Sequence, residues 1–279
     1  MQCRYREKVV KCGDMLFGVI YPEYRKAGKR RGPFRPTSEV QAQNNERRSL
    51  EWHRWVVHAN FTNRDFFVSP TFDEENVPAD RESLDREIRN YIARLKRYYT
   101  RQGAELKYYI ERVIGEGVRP HFHLYLSGGV DRLAVEELWG RGFCNVKQLE
   151  FNECGVTDLT VYSGMQKSGA GKPKRRKGEH RFSGSRNLTK PVERVNTVRY
   201  SKADVEAIAD ASNPHKMFAD RYKGFWLSEF PEIRQNPVVH GWWISFVMYR
   251  PDSRCLMPYI RARNRKRYRT EADGALVRL

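Results

Sequence analysis

Arg119-Pro120-His121-Phe122-His123-Leu124-Tyr125-Leu126 is the stretch whose reading decides the fold. In a strand, successive side chains point to opposite faces, so residues two apart share a face. Read as a strand over 120–126, the run sends Phe122, Leu124 and Leu126 into a core and leaves His121 and His123 side by side on the other face. Two imidazoles at that spacing can share one divalent ion. Two half-buried histidines satisfied by hydrogen bonds would give the same pattern, and for a bare His-x-His that plainer reading comes first. A third ligand could come from the preceding strand, read over 106–114. Glu111 is the first choice, and Glu116 in the Gly115-Glu116-Gly117 turn is the reserve.

Working outward, 81–101 reads as the best helix, with Asp80 as its N-cap. Leu84, Ile88, Tyr91, Ile92, Leu95 and Tyr98 recur there at steps of three and four. A strand is expected over 66–72; Pro70 lacks a ladder donor, which puts that strand at an edge or gives it a bulge. Further helices are expected over 39–59, with Leu50, Trp52, Trp55 and Val56 near one face, and over 133–139, 156–167 and 201–211. Ser201 caps the last of these, with Asp204 in its first turn. The segments 26–36 and 169–179 are basic and glycine-rich, so they read as a mobile arm and a flexible loop.

Helices packed on antiparallel strands, without regular alternation, indicate an α+β fold. A ferredoxin-like or split-βαβ topology, with a central antiparallel sheet flanked by helices, is the expectation within that class. The chain divides into an N-terminal basic arm and helix (1–60), a core (61–199) and a C-terminal extension with a basic tail (200–279).

Formal net charge is +18, from 52 Lys and Arg against 34 Asp and Glu in 279 residues, which points to a polyanionic partner. An aromatic content of 13% excludes a disordered basic tail as the whole protein. The cysteines Cys3, Cys12, Cys144, Cys154 and Cys255 show no zinc-knuckle spacing, so reduced thiols in a cytoplasmic protein are expected. With no run of 18 apolar residues and no signal-like start, the expectation is a soluble, intracellular chain.

Phosphodiester cleavage needs a nucleophile. Tyr162, in Leu159-Thr160-Val161-Tyr162-Ser163-Gly164-Met165-Gln166-Lys167, is the candidate. A phenol with a pKa of about 10 is only about 0.1% ionised at neutral pH, so a metal or a lysine must assist it. Mixed imidazole and carboxylate ligation suits Mg²⁺ or Mn²⁺, although imidazole alone would also accept zinc. Lys172, Lys174, Arg175, Arg176 and Lys177 read as a clamp on backbone phosphates or as a solvated loop, and Arg261 to Arg269 is a second such run.

Taken together and in order, these blocks resemble the HUH endonucleases, named for His-hydrophobic-His. Within them they are similar to phage and plasmid rolling-circle replication initiators of the filamentous-phage type. The resemblance spans about 44–191. It includes Asn44-Asn45-Glu46-Arg47, Asn60-Phe61, Phe67-Val68-Ser69-Pro70-Thr71-Phe72, Leu106 to Glu111, the histidines, Leu138-Trp139-Gly140 and the tyrosine segment. It closes on Arg181-Phe182-Ser183-Gly184-Ser185-Arg186-Asn187-Leu188-Thr189-Lys190-Pro191.

The resemblance implies that a tyrosine attacks one strand at an origin, keeps the 5′-phosphate and frees a 3′-hydroxyl, then later rejoins the strand. It implies His121, His123 and Glu111 as metal ligands, Tyr162 and Lys167 as catalytic residues, and Thr71, Arg181, Ser185 and Arg186 as DNA contacts. Two departures stand out. The family pattern is Tyr-x-x-Lys, whereas Lys167 follows Tyr162 by five residues, about 140° around a helix. Pro70 replaces an apolar strand residue beside Thr71. Gly169-Ala170-Gly171-Lys172 fails as a phosphate-binding loop, since Pro173 stands where Ser or Thr belongs. Unwinding therefore falls to a host helicase, alongside a host polymerase. A transposase, a relaxase or a non-enzymatic basic nucleic-acid-binding protein are the competing readings.

Overall fold

In the computed structural model, residues 4–23, 39–115, 118–157, 180–235, 241–256, 268–270 and 276–278 are described. Their strands are β1 Arg4–Cys12, β2 Met15–Glu23, β3 Phe66–Pro70, β4 Tyr108–Gly115, β5 Val118–Leu126, β6 Cys144–Gln148, β7 Phe151–Asn152, β8 Gly155–Val156, β9 Phe182–Gly184, β10 Glu193–Asn196, β11 Trp226–Leu227, β12 Glu232–Gln235, β13 Trp242–Tyr249, β14 Tyr268–Thr270 and β15 Leu276–Arg278. The helices are α1 Glu39–Asn60, α2 Arg81–Arg101, α3 Arg132–Glu137, α4 Lys202–Asp210 and α5 His215–Arg221. The result is a mixed α and β protein with antiparallel sheets, in two units.

One unit comprises Asn60–Glu150 and Val156–Thr189. Its chain order begins β3-α2-β4-β5-α3-β6, and its sheet runs β6-β3-β5-β4-β9, antiparallel throughout. Alternation sorts the sheet into two faces. Phe66, Val68, Ile110, Phe122, Leu124, Leu126, Cys144 and Val146 pack with Leu84, Ile88, Tyr91, Leu95 and Tyr99 of α2. The stripe on α2 is thus the expected one, except that Tyr99 rather than Tyr98 is the fully buried tyrosine, with Ile92 and Tyr98 partly buried beside it. Asp80 and Ser83 form the capping box that starts the helix. At the far side of this core, Tyr91 Oη donates to the Val135 carbonyl at 2.8 Å and Trp139 Nε1 to the Thr71 carbonyl at 3.0 Å.

Pro70 corrects one expectation. β3 is interior rather than an edge strand, but Pro70 is its last residue and the β5 pairing stops at Val68, so no ladder bond is asked of the missing N–H. The strand accordingly ends before Thr71 and Phe72. Pro120 is tolerated inside β5 for a related reason: the β4–β5 register shifts between Val113 and Gly115, beside it.

The other unit comprises Met1–Ala59, Phe151–Gly155 and Lys190–Leu279. Its sheet runs β10-β1-β2-β13-β11, with β12 also on β13. Leu16, Ile20, Ile244, Phe246 and Met248 face a core with Val205 of α4 and Phe218 of α5. Gly18 is required here, because a Cβ on it would meet the Phe246 ring at 2.1 Å. On the other face Trp55 and Val56 of α1 are buried, while Trp52 is 39% exposed. Segments that the linear division keeps apart, 1–60 and 200–279, thus share one sheet, since Ile20 pairs with Ile244. The β1–β2 hairpin, closed by Gly13 at φ +56° and Asp14, replaces the basic arm expected at the start.

Ser201 caps α4 through a capping box with Asp204. Val156 belongs to β8 rather than to a helix. The arm at 26–36, the rest of the helix expected over 156–167, the loop at 169–179 and most of the Arg261 to Arg269 run lie outside the described residues. Among the described residues, no helix is long and apolar enough to cross a membrane.

Candidate metal centre

The face of the β6-β3-β5-β4-β9 sheet opposite α2 carries His121 and His123, both from β5. The β4–β5 register sets Glu111 directly across from His123, so it lies diagonal to His121. The two imidazole rings are 5.2 Å apart between centroids, nearly perpendicular. Glu111 is fully buried and His123 is 8% exposed.

Each imidazole is fixed by its Nδ1. His121 Nδ1 lies 2.9 Å from the Arg119 carbonyl, which can only accept, so Nδ1 carries the proton and Nε2 is the bare nitrogen of the neutral ring. His123 Nδ1 lies 3.3 Å from Ser69 Oγ on β3, and its ring stacks on Phe67 at 5.3 Å. Burial, and then the neighbouring His121 and Arg181, pull His123 down to about 4. Its ring is therefore neutral at physiological pH, as a metal ligand must be.

Arg181, just before β9, closes the face. Its Nε donates to Glu111 Oε1 at 2.8 Å, and its Nη2 donates to the same oxygen. Two imidazoles and a buried carboxylate are a donor set that fits a divalent cation. The carboxylate is, however, engaged by the guanidinium, and among the described residues no three metal-ligating side chains gather into a ready cage. A cation here would have to share Glu111 with Arg181 or displace it.

Two tyrosines sit one step along the same face: Tyr109 pairs with Tyr125 next to Glu111 and His123. Burial, and then Glu111, push the Tyr109 phenol above its ordinary range, so it is not a phenolate at neutral pH. Its ring stacks parallel to Phe182 at 6.0 Å.

The structure brings His121, His123, Glu111 and Arg181 together. Tyr162, Lys167, Glu116, Lys172, Lys174, Arg175 and Arg176 lie outside the described residues. Thr71 is exposed just past the end of β3; its N–H donates to the Phe143 carbonyl at 2.7 Å and its carbonyl takes the Trp139 indole. Ser185 is tied to β4, its N–H donating to the Tyr108 carbonyl at 2.9 Å and its Oγ accepting from the Tyr108 N–H at 3.2 Å. Arg186 is exposed.

Much of the Arg181 to Pro191 block is thus structural. Asn187 donates to Glu105 and to the Leu106 carbonyl, and Thr189 exchanges two hydrogen bonds with Asn60. Sequence reading missed Ser69, Phe67 and the Arg181–Glu111 pair. Alternation in Phe66-Phe67-Val68-Ser69 assigns Phe67 and Ser69 to one face, but only the register brings them to His123.

Residues 65–166, just over a third of the chain, match the family model of ORF2-type replication-associated proteins. The matched stretch opens one residue before β3 and contains Glu111, His121, His123 and Tyr162. No curated protein and no solved structure matches the chain.

Proposed function

We propose that the unit built on β3 to β6 is the nicking domain of a rolling-circle replication initiator, cytoplasmic in a bacterial host. The observation that carries this reading is the single face holding His121, His123 and Glu111 in register, inside a stretch similar to replication-associated proteins. The β-α-β-β-α-β chain order supports a split-βαβ domain of the HUH kind. His121 Nε2, His123 Nε2 and the Glu111 carboxylate would hold Mg²⁺ or Mn²⁺. When bound, that ion would supply positive charge to the scissile phosphate.

In this reading the Tyr162 hydroxyl oxygen bonds to phosphorus on the origin strand and loses its proton to solvent. The bond from phosphorus to the 3′ oxygen breaks, and that oxygen leaves with a proton as a free 3′-hydroxyl. The 5′-phosphate stays on Tyr162, and the reverse attack rejoins the strand. Lys167 and the cations at 172–176 would hold phosphates, with Arg181, Arg186 and the exposed Thr71 alongside. Host helicase and polymerase would supply unwinding and synthesis.

The test is an SDS-resistant adduct between the chain and a labelled single-stranded origin oligonucleotide. It should be lost in Tyr162→Phe, in His121→Ala and on EDTA treatment. An adduct that survives Tyr162→Phe overturns the assignment. The Arg181–Glu111 pair favours a second reading, in which the histidine face is only structural and the chain binds nucleic acid without cutting it. Absence of any adduct, with Mn²⁺ failing to shift the melting temperature, would favour that second reading.

A further inference from the structure

A second feature lies in the other unit, on the sheet face turned away from the α4 and α5 core. Four neighbouring strands place one residue each in a single row across it. Arg6 of β1 pairs with Tyr21 of β2, and Arg234 of β12 pairs with Trp243 of β13. The pairing of Ile20 with Ile244 puts Tyr21 next to Trp243, so the row reads Arg6, Tyr21, Trp243, Arg234. The two aromatic rings stack at 5.4 Å with planes 30° apart, and Trp243 is 38% exposed.

A cross-strand aromatic pair stabilises any antiparallel sheet. Here the core beneath is already sealed by Ile20 and Ile244, both fully buried on the opposite face. What packing leaves unexplained is an open aromatic step bracketed by two guanidinium groups. Arg6 also pairs with Glu23 and Arg234 with Glu232, but these are partly or largely solvent-exposed ion pairs, which contribute little and exchange readily for phosphate.

We infer that this row is a stacking platform for single-stranded DNA. Unpaired bases would lie on Tyr21 and Trp243, and the flanking arginines would take the backbone phosphates. Bases in a duplex are already stacked and cannot offer their faces. The formal charge of +18 suits the same polyanion. The choice of DNA rests on the nicking reading above, whereas the platform depends on residues of the other unit alone.

The full chain is titrated into a fluorescein-labelled oligothymidylate of about 12 nucleotides, followed by anisotropy at fixed salt. Tyr21→Ala with Trp243→Ala should weaken binding by about tenfold or more, while Tyr21→Phe with Trp243→Phe should keep most of it. Arg6→Gln and Arg234→Gln should each lower the salt slope by about 0.7. If the double alanine chain fails to fold by circular dichroism, the phenylalanine pair still decides, because Trp243→Phe should remove part of the DNA-induced quenching of tryptophan fluorescence.

Wild-type affinity in a folded double alanine variant, unchanged quenching in Trp243→Phe, or tighter binding of duplex or of RNA would overturn the inference. His121→Ala with His123→Ala separates the two ideas. It should abolish the adduct and leave oligothymidylate affinity unchanged, so either can fail while the other stands.

Discussion

The Arg181 guanidinium holds the buried Glu111 carboxylate, Nε to Oε1 at 2.8 Å, directly across the ladder from His123. A buried carboxylate beside two imidazoles is thereby kept charged and neutralised within the protein. The same contact makes Arg181 the natural competitor of any cation at this face.

Replacing Arg181 by Gln removes that countercharge, and breaking one side of a buried pair costs roughly 3 kcal/mol. The variant should melt lower than wild type without metal and gain more from added Mn²⁺. Thermal melts with and without the ion measure both effects. Equal gains in the two proteins would mean that Arg181 and the ion do not contend for Glu111.

Ser69 touches His123 Nδ1 at 3.3 Å and orients a ring whose Nε2 is the proposed ligand. Orienting contacts of this kind are worth about 10-fold or more in metal affinity. Ser69→Ala should weaken Mn²⁺ binding by calorimetry to about that degree while costing less than about 1 kcal/mol of stability. An unchanged affinity would remove Ser69 from the site.

Gly184 ends β9 under tight contacts: a Cβ there would meet Leu188 Cδ1 at 2.5 Å, Tyr109 Cδ2 at 2.8 Å and the Tyr108 carbonyl at 3.0 Å. Gly184→Ala should push β9 off β4 at a cost of about 1–3 kcal/mol. Hydrogen exchange should then speed up at Glu111 and Phe182, which β9 pairs with one another. Protection equal to wild type at both amides would contradict this.

His58 links stability to pH in the other unit. Its Nδ1 lies 2.7 Å from the Arg54 carbonyl, with Phe17 and Phe151 edge-on to the ring. Burial, and then the charge of Arg54, pull it from 6.5 down to about 3. Because the folded value is depressed, the unfolded chain binds the proton first. The stability is intact above pH 6.5 and falls progressively toward pH 3, by about 2 kcal/mol at pH 5. Urea midpoints at pH 7 and pH 5 test this, with His58→Asn expected to be weaker overall but to lose this share of the pH difference. The same pH difference in both proteins would clear His58.

How much was legible in the residues differs between the two units. The periods of β5 and α2 are local and strong, and the cap at Asp80 is a local hydrogen-bond pattern, so their faces follow directly from spacing. The β1–β2 hairpin was harder to see. Arg4, Arg6 and Lys8 give its first strand the look of a basic arm. Glu7, 1% exposed and paired with Arg199, breaks the apolar alternation on the inner face. A buried charge with a partner from the far end of the chain leaves no local signature.

The amino-acid order alone placed His121 and His123 on one face and Phe122, Leu124 and Leu126 on the other, because the two-residue period of a strand is a property of the backbone. Which residues would meet those histidines belonged to the folded chain. Glu111 opposite His123, Ser69 behind its ring, Arg181 on the carboxylate and Tyr21 beside Trp243 all follow from strand register. Register is settled by which distant faces can be buried together, and no stretch of neighbouring residues encodes that.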